Sequence, residues 1–401
     1  MGSSGSDQVA SGRSVHPLIA TVRDFVDRYV LPTANGPTAE TEFPHALVQQ
    51  MRELGLFGTI VPQAYGGLGL DTLTHAAIME EIARGWFSLS GVLNTHTLCS
   101  ALVLSGGTDG QRSDLLPRLA SGALRGAFSL TEPHAGSDVQ AIEARGVREQ
   151  DGSWSLHGRK RWITNGLGAG VVFVLVKTDP TAEPAYAGMT CFIVEKEPFA
   201  ATNTGRFAGV TISEVIEKMG DRGVDTTDLV LEGYRCCPDR ILGEEAGLGL
   251  GFTQMLSAME VGRVGAASLC VGLAQRSFEV ALDYARTRET FGKPIAEHQA
   301  IQFKLADMAT KIEAARLLTR NAAAAKDAGR RSDLEAGMAK LFASEAAKEV
   351  AEDSFRIHGS NGYSKQFEIE RLYRDTLCLL SAEGPSEIQR MVIGRQIVAG
   401  R

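Results

Sequence analysis

Aromatic residues make up only 6% of this 401-residue sequence, and basic residues are outnumbered, 41 Lys and Arg against 48 Asp and Glu. With a net charge of −7, the chain lacks the basic face and the stacking side chains that nucleic-acid binding requires. Cysteine is sparse too. The six cysteines stand at 99, 191, 236, 237, 270 and 378, and only Cys236-Cys237 are close, which is not a zinc spacing. No metal site is expected, and the thiols read as reduced, in a cytoplasmic protein. No apolar run approaches the ~20 residues of a membrane span, so residues 171–176 read as a buried strand. The polar opening MGSSGSDQVASGRS has no signal-peptide core.

What is present is an ordinary globular balance, 44% hydrophobic and 22% charged with 44 glycines, long enough for two or three domains. From residue 16 to about 125 apolar residues recur at three and four: Leu18, Ile19, Val22, Phe25, Val26 and Tyr29 share one helix face. A second helix starts at Phe43-Pro44 and ends at Gly55, and Asp71 caps a third that runs to Arg84-Gly85. Two more helical segments fill residues 88–120. From Gly126 to about Asp239 the period drops to two, with VVFVLVK, MTCFIVEK, VTISEVIEKMG and TTDLVLEGYR as strands. No helices alternate with them, which predicts an antiparallel barrel and excludes a βαβ dinucleotide fold. Gly247-Leu248-Gly249-Leu250-Gly251 therefore reads as a helix start rather than a nucleotide loop. Residues 252–288 then predict a helix of roughly 35 residues, about 50 Å long. Residues 299–326 form a second long helix, and Ser332-Asp333-Leu334-Glu335 reads as a capping box opening a third. These lengths make a bundle.

The chemistry concentrates in AFSLTEPHAGSD and GRKRWITNG. The first is a strand (127–130) that breaks at Thr131-Glu132-Pro133 into a loop, where Gly136 and Ser137 let backbone N–H groups approach an anion. Asp151-Gly152 signals a hairpin, so the strand ending at Trp162-Ile163-Thr164 is expected to fold back beside residues 128–131. Such a surface suits a flat, partly polar heterocycle with a phosphate tail, the indole covering a ring face and Thr131 and Thr164 meeting its edge. The plainer alternative, Trp162 in a core and Ser137-Asp138 as a turn, stays open at this point.

TEPHAGSD and KRWITNG, with VPQAYGGLGL upstream and RTRETFGKPIAEHQAIQ, FRIHGSNGY and AEGPSEIQR downstream, resemble the acyl-CoA dehydrogenase family of FAD flavoenzymes. The resemblance spans almost the whole chain in the family's order and spacing. It implies an α+β, mostly α fold: an N-terminal helical domain (15–125), a middle antiparallel β-barrel domain (126–240) and a C-terminal four-helix bundle (241–401). It also implies FAD as cofactor, an acyl thioester of CoA or of a carrier protein as substrate, an electron-transfer flavoprotein or similar acceptor, and a homotetramer.

Residue by residue, the resemblance places the catalytic base at Glu383. Glu383 follows the largely apolar Leu379-Leu380-Ser381-Ala382, where partial burial raises a carboxyl pKa towards working pH; alone, it could equally be a solvated carboxylate near a helix start. Some members carry the base at the position of Gly262, which has no side chain to offer. Phe128, Leu130, Thr131, Gly136, Ser137, Trp162, Ile163 and Thr164 match the flavin cradle, with Ser137 also near substrate. Glu260 and Arg263 match positions that meet the thioester tail, or form a structural ion pair one helical turn apart. Arg288, Thr290, Phe291, His298 and Gln299, then Arg356, Gly359 and Ser360, match segments that meet the FAD diphosphate and adenosine, some across a subunit boundary. Ala382 and Gly384 are matched to the substrate side, Pro385 and Glu387 to the cofactor.

Three departures stand out. Arg356 replaces a frequent glutamine, Pro385 replaces the usual threonine, and Ala382 stands where straight-chain enzymes often carry a bulky aromatic. The pocket beside the base is therefore expected to admit a branched or polar acyl group, or a carrier-protein thioester. A flavin oxidase or monooxygenase on the same fold is the alternative activity. A non-catalytic FAD-binding relative would be expected to have lost the base.

Overall fold

The computed structural model describes residues 16–400, so the polar opening lies outside the described residues. In the first third, caps decide where helices begin. His16 Nδ1 accepts from the Leu18 amide and Pro17 occupies the first turn of α1 (Pro17–Phe25). A π-helical turn (Val26–Val30) and α2 (Leu31–Ala34) continue it. α3 (His45–Glu53) follows Pro44 and stops before Gly55, whose φ of 72° a side chain would strain. Asp71 caps α4 (Thr72–Gly85), its Oδ1 accepting from the Thr74 N–H at 2.8 Å. α5 (Phe87–Gly106) and α6 (Asp109–Ala120) complete the set.

Seven strands form one curled sheet: β1 (Gly126–Ser129), β2 (Arg145–Arg148), β3 (Trp154–Thr164), β4 (Val171–Lys177), β5 (Met189–Glu195), β6 (Val210–Val215) and β7 (Thr226–Cys236). Their order is β1-β4-β2-β3-β7-β6, with β5 paired to β4. The Asp151-Gly152 hairpin joins β2 and β3 in antiparallel register, Arg148 opposite Trp154. Two ladders differ from the expected antiparallel pattern: β1 runs parallel to β4, Gly126 beside Val171, and β2 meets β4 in parallel at Arg145 and Lys177. The cause is the connection. β1 leads into the long 130–144 loop instead of a hairpin, and only such a crossover lets strands run parallel. The end of β3 therefore does not form a ladder with β1. Just beyond β1, the Arg161 N–H of β3 donates to the Thr131 carbonyl at 2.9 Å.

The last third is carried by α7 (Gly251–Thr287), 37 residues long. Gly251 is needed at its start, because a Cβ there would lie 2.2 Å from the Cys191 amide nitrogen on β5. A short hairpin of β8 (Glu289–Thr290) and β9 (Lys293–Pro294) leads to α8 (Gln299–Asp327) and α9 (Asp333–His358). α10 (Ile369–Thr376), α11 (Cys378–Ser381) and α12 (Ser386–Val398) close the chain. The expected capping box at Ser332 does not form. Ser332 sits at φ −125°, ψ 12°, away from the extended geometry a cap needs, and its Oγ is buried without a partner. Arg331 instead grips Asp333 with two bonds of 2.9 and 2.7 Å.

Glycines on α7 set how closely its neighbours approach. A Cβ on Gly262 would meet Leu98 Cδ2 at 2.6 Å, one on Gly265 would meet Asn94 Oδ1 at 2.2 Å, and one on Gly272 would meet the Glu80 carbonyl at 2.1 Å. α4 and α5 thus lie directly on α7, and this contact builds the site. α5 and α7 are long and apolar enough to cross a bilayer by length and composition, which corrects the expectation of no such segment; the relevant stretches are 83% and 67% buried against other elements, as core helices are.

Candidate active site

Glu383 stands where α11 ends and α12 has not begun. Both it and Gly384 adopt left-handed backbone, φ 57° and 83°, a conformation that costs a non-glycine residue of order 1–3 kcal/mol and concentrates at functional sites. Two buried side chains hold the turn. Gln389 Nε2 donates to the Glu383 and Gly384 carbonyls at 3.1 and 3.2 Å, and Lys340 Nζ donates to the Gly384 carbonyl at 2.9 Å. The Glu383 carboxylate accepts from Asn94 Nδ2 of α5 at 3.3 Å through Oε1. Its Oε2 points to the bare face of α7 at Gly262. Burial raises its pKa, and the nearby Arg263 and Lys340 cations pull it back.

The two halves of the expected cradle come together around the Arg161–Thr131 bond. Beneath that bond Lys160 and Glu132, both buried, pair at 2.8 Å, and Glu132 also accepts from the Glu143 and Ala144 amides at 2.7 and 3.0 Å. Lys160 adds a bond to the Leu130 carbonyl at 3.0 Å. This network fixes the loop that carries Thr131, Gly136 and Ser137. A bulge between Lys160 and Ile163 puts Trp162 at φ 62° and leaves it 55% exposed, with the Arg161 guanidinium 5.6 Å from the ring centroid. Trp162 is thus not a core residue. Leu130 and Ile163 are buried while Phe128, Thr131 and Thr164 are half-buried. Gly136 has room over it, since a Cβ there would touch only Thr131 Cγ2, at 3.8 Å.

α5 ties cradle to base. Thr164 Cγ2 lies 3.6 Å from the Cβ position of Gly91, and Asn94, one turn along the same helix, bonds Glu383. On α7, Glu260 pairs with Lys326 at 3.4 Å, not with Arg263, so the suggested ion pair between those two is not made. Arg263 Nε is buried without a partner. Glu387 is exposed beside Arg390, Pro385 precedes α12, and Ala382 and Gly384 flank the base.

The remaining candidates form a second cluster. Arg288, the first residue past the end of α7, lies 25 residues beyond Arg263, about 38 Å along the helix axis. There Phe291 is 97% exposed at φ 53°, Thr290 Oγ1 meets His298 Nε2 at 3.4 Å, and Gln299 opens α8. Arg356 pairs with Glu352, and Gly359 and Ser360 are exposed just after His358. His358 stacks on Tyr284, whose hydroxyl accepts from Asn361 at 2.9 Å, so this segment abuts the end of α7. One chain does not bring these residues to the cradle. Asn94, Lys340, Gln389 and the Lys160–Glu132 pair were not among the expected residues. A lone Asn in the apolar stretch of α5 and a lone Lys on the alanine face of α9 are the signals that mark the first two.

Comparison with known proteins gives the frame. The N-terminal, middle and C-terminal domain families of acyl-CoA dehydrogenase match residues 15–123, 127–234 and 249–398. The chain belongs to the acyl-CoA dehydrogenase family. Members are FAD-dependent flavoproteins and oxidoreductases of CH–CH donors, and this protein is one of them. It is 39% identical to 3-(aryl)acrylate reductase of Clostridium sporogenes over 386 residues, 96% of this chain and 98% of that protein. The structure of butyryl-CoA dehydrogenase from Megasphaera elsdenii superposes with a TM-score of 0.90 at 31% identity, covering 97% of this chain and 100% of that one. The prolyl acyl carrier protein oxidase AnaB superposes with a TM-score of 0.86 at 29% identity, covering 96% of this chain and 100% of that one. The exposed indole, the adjacent threonines and the open glycine turn fit the family's FAD.

Proposed function

We propose that this acyl-CoA dehydrogenase family member oxidises the α,β bond of an acyl thioester, with Glu383 as the base that removes the α-proton. The observation that carries the reading is the Glu383 carboxylate, held on a left-handed turn, bonded to Asn94 and set against Gly262, one turn of α5 from Thr164. Bound FAD would supply the acceptor for the β-hydride. Phe128, Leu130, Thr131, Gly136, Ser137, Trp162, Ile163 and Thr164 hold its ring and first phosphate, with Pro385 and Glu387 nearby. Arg288, Thr290, Phe291, His298, Gln299, Arg356, Gly359 and Ser360 serve the diphosphate and adenosine of a neighbouring subunit in a homotetramer, since they lie far from the same chain's cradle. Glu260 and Arg263 receive the thioester tail. As the α-proton leaves, negative charge builds on the thioester oxygen, and N–H donors near Glu383 and Gly384 stabilise it. An electron-transfer flavoprotein or similar acceptor takes the electrons, and the cytoplasm suits six free thiols.

Ala382 sets the substrate. A small side chain next to the base leaves width where straight-chain enzymes carry a ring, so branched, polar or carrier-bound acyl groups fit better. The likeness to AnaB supports a carrier-protein thioester and an oxidase as the second reading. Anaerobic flavin bleaching against short, branched, polar and palmitoyl thioesters of CoA and of a carrier protein tests substrate, and reaction of the reduced flavin with dioxygen separates dehydrogenase from oxidase. Clear preference for palmitoyl-CoA would overturn the reading of Ala382.

A further inference from the structure

Lys340 lies on the face of α9 that Ala336, Ala339, Ala343 and Ala347 bury, and it is itself fully buried. Lysine almost never sits there without a partner, because desolvating an ammonium costs several kcal/mol. Yet among the described residues it makes no ion pair; its ammonium donates to the Gly384 carbonyl at 2.9 Å. That carbonyl belongs to the residue after the base, in the turn where both residues have positive φ. The turn has little slack on its other side. A Cβ on Gly384 would lie 2.6 Å from Gln389 Nε2, and Gln389 is fully buried.

Burial lowers the Lys340 pKa, and the titratable and charged groups close enough to act on it are Cys270 and Arg263 of α7, Cys378 of α11 and Glu383 of the turn. Burial pushes the Cys270 thiol up to about 12 and raises Cys378 as well, so neither is charged near neutral pH. Arg263 has the same sign as Lys340. Glu383 is therefore the anion that this buried cation acts on, and Glu383 in turn is acted on by Arg263 and Lys340.

We propose that Lys340 is a positioning residue for the base: its ammonium fixes the Glu383–Gly384 turn through the Gly384 carbonyl, and its charge favours the ionised carboxylate. The proposal rests on the reading of Glu383 as the base. Removing a cation from beside a carboxylate makes ionisation harder, so the pH at which the base becomes competent rises.

The test is anaerobic stopped-flow reduction of the FAD-loaded enzyme as a function of pH, using one good thioester. Lys340→Met keeps the length and apolar stem but removes charge and donor; it is expected to retain FAD, to reduce more slowly, and to shift the acid limb upward by about one pH unit. Lys340→Gln, which keeps a donor, is expected to shift the limb while slowing the plateau less, and it carries the test if the methionine variant does not fold. Lys340→Arg retains the charge and is expected to leave the limb where it is. A purely structural lysine would change rate or thermal stability and leave the limb unmoved in both neutral variants, which overturns the proposal. Glu383→Gln run alongside separates the two claims. If that variant is reduced as fast as the parent, the base reading falls, and this proposal with it. If it is inert while the limb of Lys340→Met stays put, only the role of Lys340 falls.

Discussion

A methyl group on Gly262 would lie 3.2 Å from Glu383 Oε2 and 2.6 Å from Leu98 Cδ2. The long helix is bare where it passes the carboxylate, so that Leu98 of α5 and the Glu383 carboxylate both close onto its backbone. Gly262→Ala is expected to crowd both neighbours at a cost of about 1–3 kcal/mol. Flavin reduction should slow at least tenfold while FAD stays bound. Unchanged reduction kinetics would show that the Gly262 face is not part of the reaction path.

The Glu132–Lys160 pair predicts a link between stability and cofactor retention. Glu132→Ala strands a buried ammonium and two loop amides, and breaking a buried pair from one side costs about 3–5 kcal/mol. The expected result is a lower unfolding temperature together with faster loss of FAD on gel filtration, because the loop bearing Thr131, Gly136 and Ser137 loses its anchor. A variant destabilised as much that keeps FAD as tightly as the parent would argue against this anchor.

His96 predicts acid sensitivity. It is fully buried, its Nδ1 accepts from the Gly126 N–H at 3.2 Å, and its Nε2 lies 3.1 Å from the Leu119 carbonyl. Only the neutral ring satisfies both contacts, since a proton on Nδ1 would oppose an N–H. Burial accordingly lowers its pKa from 6.5 to about 4. A lowered folded-state value contributes stability that is present above 6.5 and lost as pH falls through about 4, up to about 3 kcal/mol at 1.36 kcal/mol per unit. Unfolding temperature followed from pH 7 to 4 should fall less steeply in His96→Gln than in the parent. Equal slopes would remove His96 from the account.

The three-part architecture was legible because the apolar period switches from three and four to two and back again. Proline, glycine and Asp71 marked helix limits for local steric reasons. What local pattern does not carry is pairing: the parallel β1–β4 ladder depends on where a long loop returns the chain. Trp162 shows the same limit. Its sequence neighbours permit a core or an exposed ring, and a bulge at Arg161-Trp162 decides for exposure. At the site, Glu383 was visible through its motif and apolar approach. Asn94 and Lys340 come from helices 289 and 43 residues upstream, and only packing reveals that they converge on it.

The central claim is that Glu383 takes the α-proton, and Glu383→Gln tests it most directly. Glutamine preserves shape and can still meet Asn94, but it cannot accept the proton, so fold, colour and thioester binding should survive. A general base contributes about 10²–10⁴-fold, and coupled hydride loss adds to the deficit. Mixed anaerobically with a thioester that bleaches the parent, the variant is predicted to keep its oxidised flavin band. Bleaching at the parent's rate would contradict the account and move the search for the base to Glu260 or Glu387.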